Sequence, residues 1–449
     1  MLTLLFPSVS LLLAVTAAGR DTGQVSTGDS TGVVAFESVT VVPMDRERVL
    51  DSQTVVVRDG KIAEIGPSSS VQVPAGAIRV DGKGKYLMPG IAEMHAHVPS
   101  RDDPTLEAVM ALYVLTGATT IRAMMGTPDQ LEYRKEIASG QMLGPTLFAV
   151  GPPFNGDNTK NPKDAEAKVR QYHAAGFDVL KIFPGMNRET YDAILRTARE
   201  LHMPISGHVP LSVGVRHAIE SGQSIEHLDG YLEDIGRDRG RIQELVQLTT
   251  TAGIWNCPTM DVWKTILGLR DPEQLLRDRP EVQYMPRQLV DQWTKRVREM
   301  GRRSPVRLAL EGLGMSRSAA DIAALRDSLL RALSDGGAKL LLGSDSPQAF
   351  SVPGFSLAHE MDAMVDAGLS TWTVLSAATR NPAEFFSRSA EFGTVEVGKR
   401  ADLLLLDGNP LEDIRNVHRQ AGVMLRGRWL PAEEINQRLA QIAAAWKAR

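Results

Sequence analysis

His95 and His97 stand two residues apart at the end of the apolar run Tyr86-Leu87-Met88-Pro89-Gly90-Ile91-Ala92-Glu93-Met94. Alternate side chains of a strand share one face, so both imidazoles can grip the same metal ion. Imidazole nitrogen is the usual neutral ligand for zinc and related ions, and a catalytic centre needs further ligands with one position left for water. Four other residues qualify: Lys181 inside Val179-Leu180-Lys181-Ile182-Phe183, His208 after Pro204-Ile205-Ser206-Gly207, His227 after Ser224-Ile225-Glu226, and Asp345 in Gly343-Ser344-Asp345-Ser346.

The lysine needs its own chemistry, because an ammonium does not bind metal and a charged amine in an apolar strand is costly. Burial lowers its pKa, and the neutral amine can then add carbon dioxide to give a carbamate whose two oxygens bridge two cations. Four imidazoles, a carbamylated Lys181 and Asp345 together make a ligand set for two divalent ions. A water bridging such a pair gives up a proton near neutral pH while one ion polarises the carbonyl under attack. Asp345, beside that water, is expected to take its proton and pass it to the leaving nitrogen. Tyr231, four residues after His227, is expected to reach a substrate carbonyl or carboxylate from its loop. Each residue also has an ordinary structural reading, as a strand pair, a snorkelling lysine, a capping aspartate or a loop-packing tyrosine. What favours chemistry is that the six ligand candidates all fall on strands or strand ends.

Those strands come from the periodicity of the middle of the chain, where short apolar runs alternate with helical periods, as in parallel strands joined by crossover helices. Strands are expected near Ile91 to His95, Thr119 to Ala123, Thr146 to Val150, Val179 to Phe183, Pro204 to His208, Ser224 to His227, Gly253 to Cys257 and Leu340 to Asp345. In a barrel the chemistry sits at the C-terminal strand ends, which is where the ligands fall. An interval from about 262 to 336 is charged, helix-forming and punctuated by Pro272, Pro280, Pro286 and Pro305, and is expected to form a lid or docking surface. Before the barrel, Val39-Thr40-Val41-Val42 and Thr54-Val55-Val56-Val57 read as hairpin strands with a turn at Asp59-Gly60. Similar texture returns in 401–407 and 423–429, so residues 33–88 and 393–431 are expected to form one composite β-domain around a barrel of residues 89–392. An amphipathic helix, 432–449, is expected to pack on the barrel.

Size and charge fit this plan. The chain has 449 residues, and a (β/α)8 barrel takes roughly 250, leaving room for a small second domain. A net charge of -4 argues against a nucleic-acid partner and for a small-molecule substrate. The apolar stretch 1–19 resembles a signal peptide although it carries no Lys or Arg before its core, and it is shorter than the ~20 residues of a spanning helix. Export, to the periplasm or outside the cell, and no stable membrane anchor are therefore expected, with 20–32 as a flexible leader. Cys257 is the only cysteine, so no internal disulfide can form.

With these motifs in order, the sequence resembles the amidohydrolase superfamily, in particular its imidazolonepropionase-like and Xaa-Pro dipeptidase-like members. The resemblance is carried by Met88-Pro89-Gly90-Ile91 leading to His95-Ala96-His97, Gly117-Ala118-Thr119-Thr120-Ile121-Arg122, Leu180-Lys181-Ile182, Gly207-His208-Val209, Ser224-Ile225-Glu226-His227, Gly343-Ser344-Asp345, Ala377-Ala378-Thr379-Arg380-Asn381-Pro382-Ala383 and Gly398-Lys399-Arg400-Ala401-Asp402-Leu403. It implies an α/β fold, a distorted (β/α)8 barrel with a β-sandwich from both chain ends, and two divalent ions, usually zinc. By position it gives His95, His97 and Asp345 to the more buried ion, His208 and His227 to the more exposed one, and Lys181 to the bridge. Two departures stand out: Glu93 replaces a common Asp, and Gly151-Pro152-Pro153-Phe154-Asn155-Gly156 lacks a histidine that many dipeptidase-like relatives use on the substrate carbonyl.

The expected activity is hydrolysis of an amide or peptide C-N bond in a small substrate, a dipeptide of Xaa-Pro type or an N-acyl amino acid, by a homo-oligomer. The rivals are a hydrolase of cyclic amides or lactones using the same centre, and a non-catalytic binding protein on the same fold. His359 is expected on a helix surface, and His173, His202, His217 and His418 in structural or exposed places.

Overall fold

The β-branched runs before the first histidine pair form hairpins because their turns suit a right-handed twist. In the computed structural model, which describes residues 32–302 and 318–447, β1 (Val34–Val41) pairs antiparallel with β2 (Leu50–Arg58), and β2 with β3 (Lys61–Pro67). The β2–β3 turn uses Asp59 and Gly60 at φ 51° and 73°, the left-handed pair that a two-residue hairpin requires. β4 (Ile78–Asp81) and β5 (Tyr86–Pro89) both run parallel to β1. The apolar stretch near Met1 and nearly all of the leader expected after it lie outside the described residues.

The central strands follow in sequence: β6 (Ile91–Ala96), β7 (Ala118–Ala123), β8 (Thr146–Ala149), β9 (Leu180–Ile182), β10 (Ile205–Gly207), β11 (Ser224–Glu226), β12 (Trp255–Cys257) and β13 (Lys339–Leu340). Each lies within its expected span except that β6 runs one residue beyond and β7 and β13 each begin one before. They form two parallel sheets, β6-β7-β8 and β9 to β13 in order. Hydrogen bonds also cross both gaps. Gly151 N donates to Val179 O at 2.9 Å on one side, and Met94 N to Leu342 O at 2.8 Å on the other.

β14 (Leu403–Leu406), β15 (Gln420–Leu425) and β16 (Arg428–Pro431) return to the first sheet, β14 pairing antiparallel with β5, to give a mixed eight-stranded sheet in the order β16-β15-β14-β5-β1-β2-β3 with β4 beside β1. β1 and β16 are four places apart in that order, about 19 Å at the usual ~4.8 Å spacing. Yet the rings of Phe36 and Trp429 meet edge-on at 5.1 Å. The sheet must therefore curl over its own apolar face, which Val55, Leu87, Leu403, Leu405 and Met424 fill.

Helices follow the strands and turn one face inward. Helix Arg188–Glu200 starts at Asn187, whose side chain accepts from Thr190 N, and buries Tyr191, Ile194, Leu195 and Ala198 at helical spacing. After β12 come the helices Met260–Ile266, Pro272–Asp278, Arg287–Arg302 and Ala319–Asp335. Pro272 begins one of them, Pro280 opens a 3-10 turn and Pro286 precedes another, because proline at a first helical position loses no hydrogen bond. Pro305 lies outside the described residues. The last helix, Ala432–Lys447, packs against helix Leu106–Leu115 and β15. Among the described residues no helix is long and apolar enough to cross a membrane. Phe36 is fully buried at the curl of the mixed sheet, so Phe36→Ala is expected to cost about 3–5 kcal/mol, read as a lower urea midpoint than the parent's.

Candidate metal centre

Lys181 lies in β9 and His95 in β6, while His208 and His227 directly follow β10 and β11. A regular strand points neighbouring side chains to opposite faces, but His227 at φ 62° and Asp345 at φ 61° leave the strand conformation. This bend lets His227 reach the same interior as Glu226, the residue before it. Glycines clear space for the group. A Cβ on Gly207 would stand 2.2 Å from Ile182 O, and one on Gly343 would stand 2.7 Å from the His95 Cβ.

The six expected ligands converge. Asp345 Oδ1 is 2.9 Å from His97 Nε2 and 3.5 Å from His95 Nε2, and Asp345 Oδ2 is 3.9 Å from His227 Nδ1. Ring centroids of His95 and His227 are 4.5 Å apart, and those of His227 and His208 are 4.8 Å apart. Lys181 is buried in the same interior, its Nζ 6.0 Å from the Phe183 ring, which also meets His208 edge-on. His97 is the most open of the imidazoles.

Burial pushes the imidazoles of His95 and His227 well below their ordinary range, and neighbouring cations add to this. Both are neutral at neutral pH, the form that binds metal. Burial likewise draws Lys181 down, against the pull of Glu226 and Asp345. Asp345 is pushed up by burial but held down more strongly by His95 and His97, so it stays ionised.

Of the layer behind these groups, the sequence singled out only Glu93, as a packing residue. Glu226 Oε2 is 2.7 Å from His95 Nδ1, and Glu226 Oε1 accepts from Arg122 Nη2 at 2.7 Å, all three side chains being buried. A carboxylate accepts, so Nδ1 carries the proton and Nε2 turns its lone pair to the cluster. Arg122 also donates to Met94 O and Ser206 Oγ, tying β7 to β6 and β10. Glu93 accepts from His95 N and Ser344 N, and burial raises it to about 7. Thr259 Oγ1 is 2.8 Å from His227 Nδ1, and Asp229 Oδ2 is 2.6 Å from His208 Nδ1. The available signal was position: Glu226 stands on the inward side of a strand, directly before a ligand.

Tyr231 is a correction. Its ring is fully buried, and its hydroxyl lies 2.8 Å from Thr249 Oγ1 and donates to Asn256 Oδ1 at 3.0 Å. It joins its helix to Arg241–Ala252 and β12 instead of facing the cluster, because the glycine at 230 turns the chain into a helix directly after the strand end. His359 lies against Glu281 at 2.7 Å and His217 against Asp192 at 2.7 Å, both away from the cluster.

Two groups of described residues bring at least three donor atoms within 4.8 Å of one another: His95, His227 and Asp345, and His95, Glu226 and Cys257. The second is committed elsewhere, since Glu226 already serves His95 Nδ1 and Arg122. The first, flanked by His97, His208 and Lys181, has the nitrogen and oxygen donors that suit a zinc-like ion.

The fold of this chain is shared with known proteins. The profile of the amidohydrolase family matches residues 86–430, and the chain belongs to that family of hydrolases. Among curated relatives, enamidase of Eubacterium barkeri is 25% identical over 213 residues, 37% of this chain and 55% of its own length. The chain thus spans about half of that relative. Imidazolonepropionase of Maricaulis maris (strain MCS10) is 22% identical over 423 residues, 85% of this chain and 94% of its own. Among solved structures, a "putative prolidase" from Bifidobacterium longum is 25% identical with TM-score 0.69, covering 92% of this chain and 99% of that one. Bottromycin amidohydrolase, 22% identical, superposes with TM-score 0.72 over 92% of this chain and 90% of its own, a likeness of fold.

Glu226→Gln removes the charge that fixes His95 and leaves Arg122 buried without its carboxylate. Metal affinity, measured by chelator competition, is expected to fall about 10- to 100-fold.

Proposed function

We propose that the protein hydrolyses the amide C-N bond of a small substrate bearing a carboxylate, a dipeptide of Xaa-Pro type or an N-acyl amino acid. The observation that carries this is the convergence of His95, His97, His208, His227, Lys181 and Asp345 at one end of the parallel strands. The hydrogen bonds across both gaps between the sheets support a closed (β/α)8 barrel, and the Phe36–Trp429 contact supports a β-sandwich built from both chain ends.

In this reading His95, His97 and Asp345 would hold one ion and His208 and His227 a second, and Lys181, as a carbamate, would serve both; zinc would suit these donors. Two such ions supply acidity to a water and polarise a carbonyl. The chain's own part is proton handling and placement. Asp345, ionised and beside His97, takes a proton from the attacking water as oxygen bonds to the carbonyl carbon. It then gives that proton to the nitrogen as the C-N bond breaks.

The insertion bears on substrate class. Helix Arg287–Arg302 lays Trp293 6.0 Å from the ring of Phe350, in the loop that follows Asp345. Arg296, three residues on and so on the same face, is half-buried. Burial draws its guanidinium down and the charge of Asp345 holds it up. An arginine close enough to feel the charge of Asp345 would complement a substrate carboxylate. The matched imidazolonepropionases favour a second reading, hydrolysis of a cyclic amide at the same centre.

Metal-loaded protein assayed on dipeptides, N-acyl amino acids, cyclic imides and lactones separates the two. Turnover of acyclic substrates is expected, and turnover of cyclic substrates alone would overturn the choice. Asp345→Asn is expected to abolish turnover while both ions remain by elemental analysis; unchanged turnover would remove its proton role. Arg296→Met is expected to raise KM about 10- to 100-fold for substrates with a free carboxylate, and to leave amide-capped substrates unaffected.

A further inference from the structure

We infer that Arg326, a residue of the insertion, is the positioning residue that holds His227 in ligand geometry, so that occupancy of the second metal position depends on the insertion. The inference rests on the metal-centre reading above.

Arg326 lies in helix Ala319–Asp335 and is only 3% exposed. Its Nη1 donates to His227 O at 2.7 Å and its Nη2 to Pro258 O at 3.0 Å. Its guanidinium lies over the Trp263 ring, 4.4 Å from the centroid. One planar fork therefore spans the two loops that leave β11 and β12. These loops are coupled through His227 Nδ1 and Thr259 Oγ1, 2.8 Å apart.

Both loops are bent at strained positions. His227, Leu228 and Thr259 have φ of 62°, 54° and 48°. A leucine and a β-branched threonine seldom adopt the left-handed region, and such residues persist where their surroundings over-determine them. The two carbonyls that Arg326 grips are that of His227 itself and that of the residue before Thr259. Burial lowers the guanidinium to about 10, so it remains charged at neutral pH. A lysine has neither the fork for two carbonyls nor the plane that stacks on Trp263.

Arg326→Lys and Arg326→Gln, loaded with Co2+ and titrated with a chelator, test this. One of two ions is expected to bind at least ten times more weakly, with its d–d spectrum altered, the other ion unchanged, and kcat lowered at constant KM. Thr259→Val, which leaves Arg326 in place and removes only the hydroxyl beside His227, is expected to give the same selective loss, and Thr259→Ser to restore the parent's binding. The inference is overturned if the Arg326 variants keep both ions as tightly as the parent or weaken both alike, or, where those variants do not fold, if Thr259→Val keeps both. A parent protein that takes up no second ion would instead overturn the binuclear reading.

Discussion

The interior at the strand ends depends on one buried ion pair, Arg122 with Glu226, because it decides which nitrogen of His95 is free. Unpaired, either charge would be costly in a space that admits little water. Paired, Glu226 has one oxygen left for His95 Nδ1, and Arg122 has donors left for β6 and β10. The same contacts that neutralise the pair thus align three strands and aim an imidazole. Glu93 does a parallel task where the first and last central strands meet, gathering the amides of His95 and Ser344.

A second constraint is the bend at the strand ends. Side chains from a regular strand alternate, so an inward carboxylate and an inward ligand cannot be neighbours unless the chain turns between them. His227 makes that turn through a left-handed backbone conformation, and Asp345 does likewise after Gly343 and Ser344. His227 is held by partners outside the strands, Thr259 from the loop after β12 and Arg326 from the insertion, whereas Asp345 N donates to His95 O of β6. The insertion therefore contributes to the centre through Arg326, and the charge of Asp345 is felt at its Arg296.

Much of this was legible in the sequence because it is periodic. The parallel strands were marked by short apolar runs alternating with helical periods, and His95, His97, Lys181, His208, His227 and Asp345 stood on or just after them. What was not legible depends on contacts far apart in the chain. Glu226 reads as one more polar residue until folding brings Arg122, 104 positions away, against it. Tyr231 shows the opposite failure: its spacing from His227 suggested a loop pointing at substrate, but the helix beginning there turned its hydroxyl to Thr249 and Asn256. Helical punctuation in the insertion was visible from Pro272, Pro280 and Pro286, whereas the direction its arginines face was not, since that is set by packing of Trp293 and Trp263.

The most direct test is a crystal structure of the protein loaded with divalent metal in the presence of bicarbonate. The account predicts two ions, one among His95, His97 and Asp345 and one between His208 and His227, with a planar carboxylate on Lys181 Nζ touching both. A single ion beside an unmodified Lys181 would contradict it.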